Sequence, residues 1–378
     1  MLNILYICPD STMGGSTHSL LSMIESTRDS VKPVVLFMCD GIACKVFRDR
    51  GVECLVYPFI KLHLFPQKYT LMQRLRHPSH FRIVRLHRVE RACVRHVREY
   101  LGNRHIDIVH SNYSSILIGW RLARALRARH VWHIREYLDP GFHVQDRPFG
   151  GRRLLKALIN RADARIVISH QVLEHWGFKE KNTWVIPPAI ANQSEACCFP
   201  EKEPYVLFCS YFVTEAKGAM IAIDAFGKSG LWKEGIRLLY VGNCFEETAA
   251  EIRDVAKAYG CEDAVVFSHS QEDVKPFFFH AKAFIMASTH EGLGRVTAEA
   301  MFYGCPVIAK DSGGTVDLVK DGVTGYLFQT SDECAALLRQ VCHTTPESMI
   351  RHAQRFVVDN MSVEAYGPRV MEVYRAVL

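Results

Sequence analysis

Short unbroken apolar runs recur along this chain, separated by longer stretches whose apolar positions repeat every three to four residues. The runs read as strands buried on both faces, and the longer stretches as helices laid over them. The opening sets the pattern. Ile4-Leu5-Tyr6-Ile7 predicts a strand, Gly14-Gly15-Ser16 a turn, and about Thr17 to Thr27 a helix with Leu20, Leu21 and Ile24 on its apolar face. Ser16 or Thr17 is expected to cap that helix. Further strands are expected at Val34–Met38, Cys54–Tyr57, Ile106–His110, Val131–Ile134, Arg165–Ile168 and Trp184–Ile186. Pro187-Pro188 and a polar run up to Pro204 then interrupt the alternation. It resumes with strands at Val206–Cys209, Leu238–Val241, Val265–Phe267, Phe284–Met286 and Val307–Ala309, and closes on a helical tail from Met361. Alternation of this kind predicts parallel sheets covered on both faces, hence an α/β chain. The expected division is a first domain over 1–190, a linker over 191–204, a second domain over 205–355 and a terminal helix over 356–378.

Composition narrows the class. The chain has 378 residues, of which 48% are hydrophobic, enough for two cores. No apolar run approaches the roughly 18 residues that span a bilayer, and the N-terminus reads as a first strand, with neither basic leader nor cleavage site. The 13 cysteines are scattered without a Cys-x-x-Cys pair, and several (Cys8, Cys39, Cys54, Cys209) sit in strand-like surroundings. They are expected to be buried, reduced thiols of a cytoplasmic protein, not a disulfide framework or a zinc site.

The densest chemical signal is Ser288-Thr-His-Glu-Gly-Leu-Gly-Arg-Val-Thr-Ala-Glu-Ala-Met301. A strand is expected before it and a helix from Val296 to Tyr303, so Glu291 falls in the strand-to-helix loop and Glu299 inside the helix. Helix-start amides attract anions, which suits a ligand phosphate and leaves both carboxylates to accept from ligand hydroxyls. Glu291-x7-Glu299 is followed by Ala300-Met301, Gly304-x-Pro306-Val307-Ile308-Ala309, Gly313-Gly314 and Gly322-x-x-Gly325. This ordered set resembles the family 4 retaining glycosyltransferases, also called glycosyl transferases group 1. The resemblance implies the GT-B fold, two Rossmann-like domains facing each other across a cleft, with the terminal helix crossing back to the first.

The same resemblance implies roles. Glu299 would hold the ribose hydroxyls of a nucleoside-diphosphate sugar and Glu291 its sugar, with Gly292, Leu293, Gly294 and Arg295 at the donor. Lys217, in Glu215-Ala-Lys-Gly218 after the strand Val206–Cys209, matches a lysine that contacts the donor diphosphate. Gly15, in the first-domain glycine pair, matches the loop that closes over the phosphates, and His133 a histidine facing the donor sugar. A core histidine is the plain alternative for His133. Glu136, Asp139 and His110 are further candidates. One departure stands out: most members of the family have an arginine shortly before the lysine, where this chain has Ser210-Tyr211-Phe212. Arg295 is the candidate replacement. No Asp-x-Asp motif is present, and neither metal nor other cofactor is expected.

Charge is unevenly placed. The net charge is +6, yet Lys61 to Arg104 holds eleven Lys or Arg against Glu90 and Glu99. Arg82, Arg85, Arg88, Arg91, Arg95 and Arg98 recur at helical spacing beside an apolar stripe of Ile83, Leu86, Val89, Cys93, Val97 and Tyr100. Two readings stay open: a solvated basic side, or a face, with Arg82, Arg85 and Arg88, for anionic lipid or an anionic acceptor at the membrane periphery. Nucleic acid is disfavoured, since no aromatic-interleaved basic motif accompanies the stripe. The expected activity is sugar transfer from a nucleoside-diphosphate sugar to a hydroxyl of a glycan or lipid-linked acceptor, as in cell-surface polysaccharide synthesis. A nucleotide-sugar epimerase of the same architecture and a non-catalytic binding subunit compete with it. A nicotinamide dehydrogenase does not, because neither first-strand turn reads Gly-x-Gly-x-x-Gly.

Overall fold

The computed structural model describes the chain except for 62–78, 139–150, 198–200, 270, 272 and 345, and describes 79–85 and 151–152 as backbone only. Asp139 and the side chains of Arg82, Ile83 and Arg85 therefore lie outside the described residues. The chain divides into two compact units, one of Met1–Ala189 with Tyr366–Leu378, the other of Ile190–Ala365.

The first unit holds seven parallel strands: β1 Leu2–Cys8, β2 Val31–Phe37, β3 Glu53–Val56, β4 Ile108–Ser111, β5 Arg129–Ile134, β6 Ala164–Val167 and β7 Thr183–Val185. Their order is β3-β2-β1-β4-β5-β6-β7. The second holds β8 Tyr205–Val213, β9 Arg237–Cys244, β10 Val265–Ser268, β11 Ala283–Met286, β12 Val307–Lys310 and β13 Tyr326–Phe328, in the order β10-β9-β8-β11-β12-β13. Every pairing within both sheets is parallel. The expected α/β class is thus observed, as two Rossmann-like units. In each sheet the order reverses beside the unit's first strand, between β1 and β4 and between β8 and β11. Ligands of such sheets bind beyond the carboxyl ends of the strands at that reversal.

Local corrections have physical reasons. The first helix runs Gly15–Ser26 with Gly14 as its N-cap and no side-chain cap. Ser16 instead donates to Asp10, and the Thr17 hydroxyl is buried and caps no helix amide. β8 continues past Cys209 through a register shift to Val213, which turns Tyr211 and Phe212 outward. β13, three residues long, gives too little pattern to be read from sequence. Cys39 is exposed because β2 ends at Phe37.

The basic helix spans Ser79–Leu101. Cys93, Val97 and Leu101 are buried, whereas Tyr100, expected in the apolar stripe, is 41% exposed and lies beneath the Arg104 guanidinium. Arg88, Arg91, Arg95 and Arg98 all face solvent. Glu90, on the buried side, pairs with Arg121 of the Ile118–Leu126 helix. Its carboxyl is pushed up to about 7 by burial, against the pull of Arg121. No helix among the described residues is long and apolar enough to cross a membrane.

Candidate active site

In the second unit the two strands at the reversal, β8 and β11, deliver the predicted residues. β8 leads into a turn at Glu215–Lys217, closed by Gly218 at φ 83°. A Cβ there would stand 2.3 Å from the Ala287 carbonyl oxygen, so only glycine lets this turn lie against the chain leaving β11. On the other side Gly313-Gly314 does the same. The Gly314 N–H donates to the Glu291 carbonyl at 2.6 Å, and a Cβ on Gly314 would stand 2.2 Å from the Gly292 carbonyl oxygen. Ser312 adds a hydroxyl bond to the Thr289 carbonyl at 2.5 Å. The loop that carries Glu291 is thus gripped from both sides by backbone.

That grip sets the geometry. Lys217 Nζ donates to Glu291 Oε1 at 2.7 Å, with 31% and 17% of the two side chains exposed. The following helix starts at Arg295 behind Gly294 (φ 82°), and within it Arg295 Nε donates to Glu299 Oε1 at 2.8 Å. Each acid thus carries a cation partner in its own unit. Arg295 is engaged with Glu299, so its guanidinium is not simply exposed. The Leu293 side chain is buried, which leaves only its backbone to offer a ligand, while Gly292 is half-buried. Tyr211, 65% exposed, meets Phe212 edge-on at 4.7 Å, and Phe212 stacks on Phe245 at 5.8 Å. Aromatic surface thus stands where the family pattern has an arginine.

In the first unit the polar groups gather at the carboxyl ends of β1, β4 and β5. His110 Nε2 lies 3.3 Å from His133 Nδ1, and Arg135 donates to the same Nδ1 at 3.3 Å. An arginine can only donate, so His133 Nδ1 is an acceptor. Burial, reinforced by Arg135, holds both histidines well below their usual range and therefore neutral. The His133 proton must then sit on Nε2, a buried donor without a partner among the described residues. His110 Nδ1 is 3.0 Å from the Tyr374 hydroxyl, which bonds Tyr6 at 3.2 Å. Arg135 also donates twice to Asn112 Oδ1, at 2.9 and 2.8 Å.

Glu136, one of the candidates, is committed to backbone. It accepts from the amides of Ser114 and Arg135 at 3.0 and 3.1 Å and from the Ser114 hydroxyl, while burial raises its pKa. Gly14 and Gly15 differ from Gly218, Gly313 and Gly314: a Cβ on either meets nothing within 4 Å among the described residues. No contact among the described residues therefore demands them.

Sequence reasoning passed over Asp10, Lys61, Asn112 and Arg135. Lys61 Nζ reaches Asp10 at 3.2 Å and sits 4.0 Å from the Tyr113 ring centroid. Asp10 and Asn112 follow the two strands at the reversal and Arg135 follows β5, a position that could have found them, whereas Lys61, five residues beyond the edge strand β3, carried no such signal. Among the described residues no group of three or more His, Cys, Asp or Glu could hold a metal ion.

Comparison with known proteins places this geometry in a family. Residues 14–189 match the Glycosyl transferase 4-like domain, and residues 190–371 match Glycosyl transferases group 1. The chain is similar to the alpha-1,3/1,6-mannosyltransferase ALG2 of Dictyostelium discoideum, 33% identical over 128 residues, 29% of this chain and 30% of that one. It is also similar to the lipopolysaccharide core biosynthesis glycosyltransferase LpsE of Rhizobium meliloti, 30% identical over 133 residues, 35% of this chain and 37% of that one. In each case the match spans about a third of the relative's length. Among solved structures, Anabaena HepE in complex with UDP superposes with a TM-score of 0.80 at 20% identity, covering 99% of this chain and 100% of that one. The two family matches run without a gap from 14 to 371, and the chain belongs to the group 1 glycosyltransferases.

Proposed function

We propose that the protein is a retaining glycosyltransferase that moves a sugar from a nucleoside-diphosphate sugar to a hydroxyl of a glycan or lipid-linked acceptor, in the synthesis of a cell-surface polysaccharide. The observation that carries this reading is the convergence of Lys217 and Glu291 from the two strands at the sheet reversal, with Glu299 on the helix that follows. The Anabaena neighbour's complex with UDP favours uracil as the base.

In this reading the donor's diphosphate takes over Lys217 and the backbone N–H groups of Gly292 to Arg295. These groups oppose the negative charge that grows on the leaving diphosphate. Glu299 accepts from the ribose hydroxyls and Glu291 from the donor sugar, each exchanging its present cation for a ligand hydroxyl. From the first unit, His133 offers a neutral Nε2–H to a sugar hydroxyl, a positioning role and not that of a proton-accepting base. Gly15 leaves room for a phosphate to approach the backbone. No step calls on a metal.

The chain is read as a first domain over 1–190 on the acceptor side, a linker over 191–204, a nucleotide-sugar domain over 205–355 and a terminal segment over 356–378 that returns to the first. Its place is the cytoplasm, at the membrane periphery where the basic helix meets anionic lipid.

The test is thermal unfolding with a panel of nucleoside-diphosphate sugars, since a ligand that binds the native state raises its stability. A UDP-sugar should raise the Tm, and Glu299→Ala should weaken UDP binding by about 1.5–3 kcal/mol, the range for charge-assisted hydrogen bonds. Unchanged UDP affinity in the variant would sink the assignment. Incubation with donor alone separates the competing reading of an epimerase, which would return an altered sugar nucleotide without acceptor.

A further inference from the structure

A second concentration of chemistry lies in the first unit, at the opposite end of the sheet from His110 and His133. An open concavity of about 440 Å³ is lined by Trp120, Arg124, Arg127, Arg129, His130, Arg161 and Asp163. It sits where the Ile118–Leu126 helix ends, β5 begins and the turn before β6 passes. Three of the four arginines, Arg124, Arg127 and Arg129, come from the run where the helix ends and β5 begins, and Arg161 joins them from the turn before β6.

Its charge does not cancel internally. Asp163, the one acid of the lining, is already spent: Oδ1 accepts from Arg129 at 3.1 Å and Oδ2 from the His130 amide at 2.8 Å. Four guanidinium groups against one carboxylate leave a net charge of +3 on a small surface. Arg124 is laid over the Trp120 ring, 5.1 Å from its centroid, which holds one planar donor fork in place. His130 is buried, with Nε2 2.9 Å from the Ser111 hydroxyl and Nδ1 without a partner among the described residues. Helix ends favour nearby cations by a few tenths of a kcal/mol each. That accounts for Arg127 at the helix C-cap, but not for four arginines converging on one concavity.

We propose that this concavity is a binding site for a phosphate-bearing anion, separate from the nucleotide site of the second unit. Its volume falls within the range of small-ligand sites, and guanidinium forks match phosphate oxygens two at a time. The same chemistry is met by a soluble phosphate ester and by a phospholipid head group, and one experiment separates them.

The full chain, the double variant Arg127→Gln/Arg161→Gln and the charge-keeping variant Arg127→Lys/Arg161→Lys are titrated with glycerol phosphate by calorimetry. All three are then sedimented with phosphatidylcholine vesicles that contain or lack phosphatidic acid. The parent should bind with an affinity that falls with salt, the glutamine variant at least tenfold more weakly, and the lysine variant in between. All three should keep the same thermal response to UDP, which reports folding and the second unit. Loss on glycerol phosphate identifies a soluble ester, and loss on phosphatidic acid vesicles alone identifies a lipid head group. Parent and glutamine variant binding both probes equally, or the parent binding neither, would overturn the proposal.

Discussion

Replacing Glu291 with glutamine removes a charge and keeps the side chain's size, so the gripped loop should hold its shape. In the structure this carboxylate neutralises Lys217 across 2.7 Å. A diphosphate that needs Lys217 must first compete with it. With charge centres about 4 Å apart, an effective dielectric near 20 would put the attraction at about 4 kcal/mol. The pair is 31% and 17% exposed, and solvent screening brings such pairs down to about 1 kcal/mol. Glu291→Gln should therefore strengthen the binding of free UDP about fivefold, because the competitor is gone. Turnover should fall about a hundredfold, the scale on which a single positioned polar group acts in a transition state. Calorimetry with UDP and a steady-state assay of UDP release from a UDP-sugar read the two quantities separately. Weaker UDP binding in the variant, or turnover equal to that of the parent, would refute the exchange of partners on which the donor-site reading rests.

Three further outcomes are expected. Gly314→Ala places a Cβ 2.2 Å from the Gly292 carbonyl oxygen and should cost about 1–3 kcal/mol by overpacking, with lower turnover as the Glu291 loop is displaced; a parental Tm and kcat together would contradict the grip. His130 is held neutral by burial, with its pKa lowered to about 3, so the unfolded chain binds the proton first as pH falls below about 6.5. Stability present above that pH should be lost by up to about 1.4 kcal/mol per pH unit on the way down, and His130→Asn should flatten that part of a urea-unfolding profile; equal slopes in parent and variant would count against it. Replacing the exposed Arg88, Arg91 and Arg95 with glutamine should reduce pelleting with anionic vesicles at low salt, each arginine being worth about 1 kcal/mol at such a surface, and parental pelleting would leave the stripe as a solvated helix face.

Much of the architecture was legible because parallel strands buried on both faces announce themselves as apolar runs. β1, β5, β11 and β12 lie where those runs do. The Glu291 loop was legible for a different reason, since its glycines and acids have fixed spacing within one short segment. What stayed hidden depends on contacts between distant residues. Tyr374 meets His110 across 264 positions, and Lys61 meets Asp10 across 51. No local pattern encodes either pair. The pairing of Lys217 with Glu291 was hidden likewise, whereas Arg295 and Glu299, four apart on one helix, stood at a readable spacing. The exposed aromatic face of Tyr211 and Phe212 follows from a register shift within β8, which the run of apolar letters conceals.

The return of the chain to its first unit at Tyr366 also orders events in time. Tyr374 completes the buried hydroxyl and imidazole chain of Tyr6 and His110, and Gly367 lies so close to Ser26 that a Cβ would stand 2.4 Å from its carbonyl oxygen. On the ribosome, Ala189 is made long before either residue exists. At about 5–20 residues per second the delay is about 10–40 s. The second unit, contiguous from Ile190 to Ala365, has all its residues before the first does. The half of the protein translated first is therefore finished last, and through that interval Tyr6 and His110 lack the partner that buries them. A fragment ending at Ala189 would stay in that unfinished state, which makes the terminal helix part of the first unit's folding and not an appendage to it.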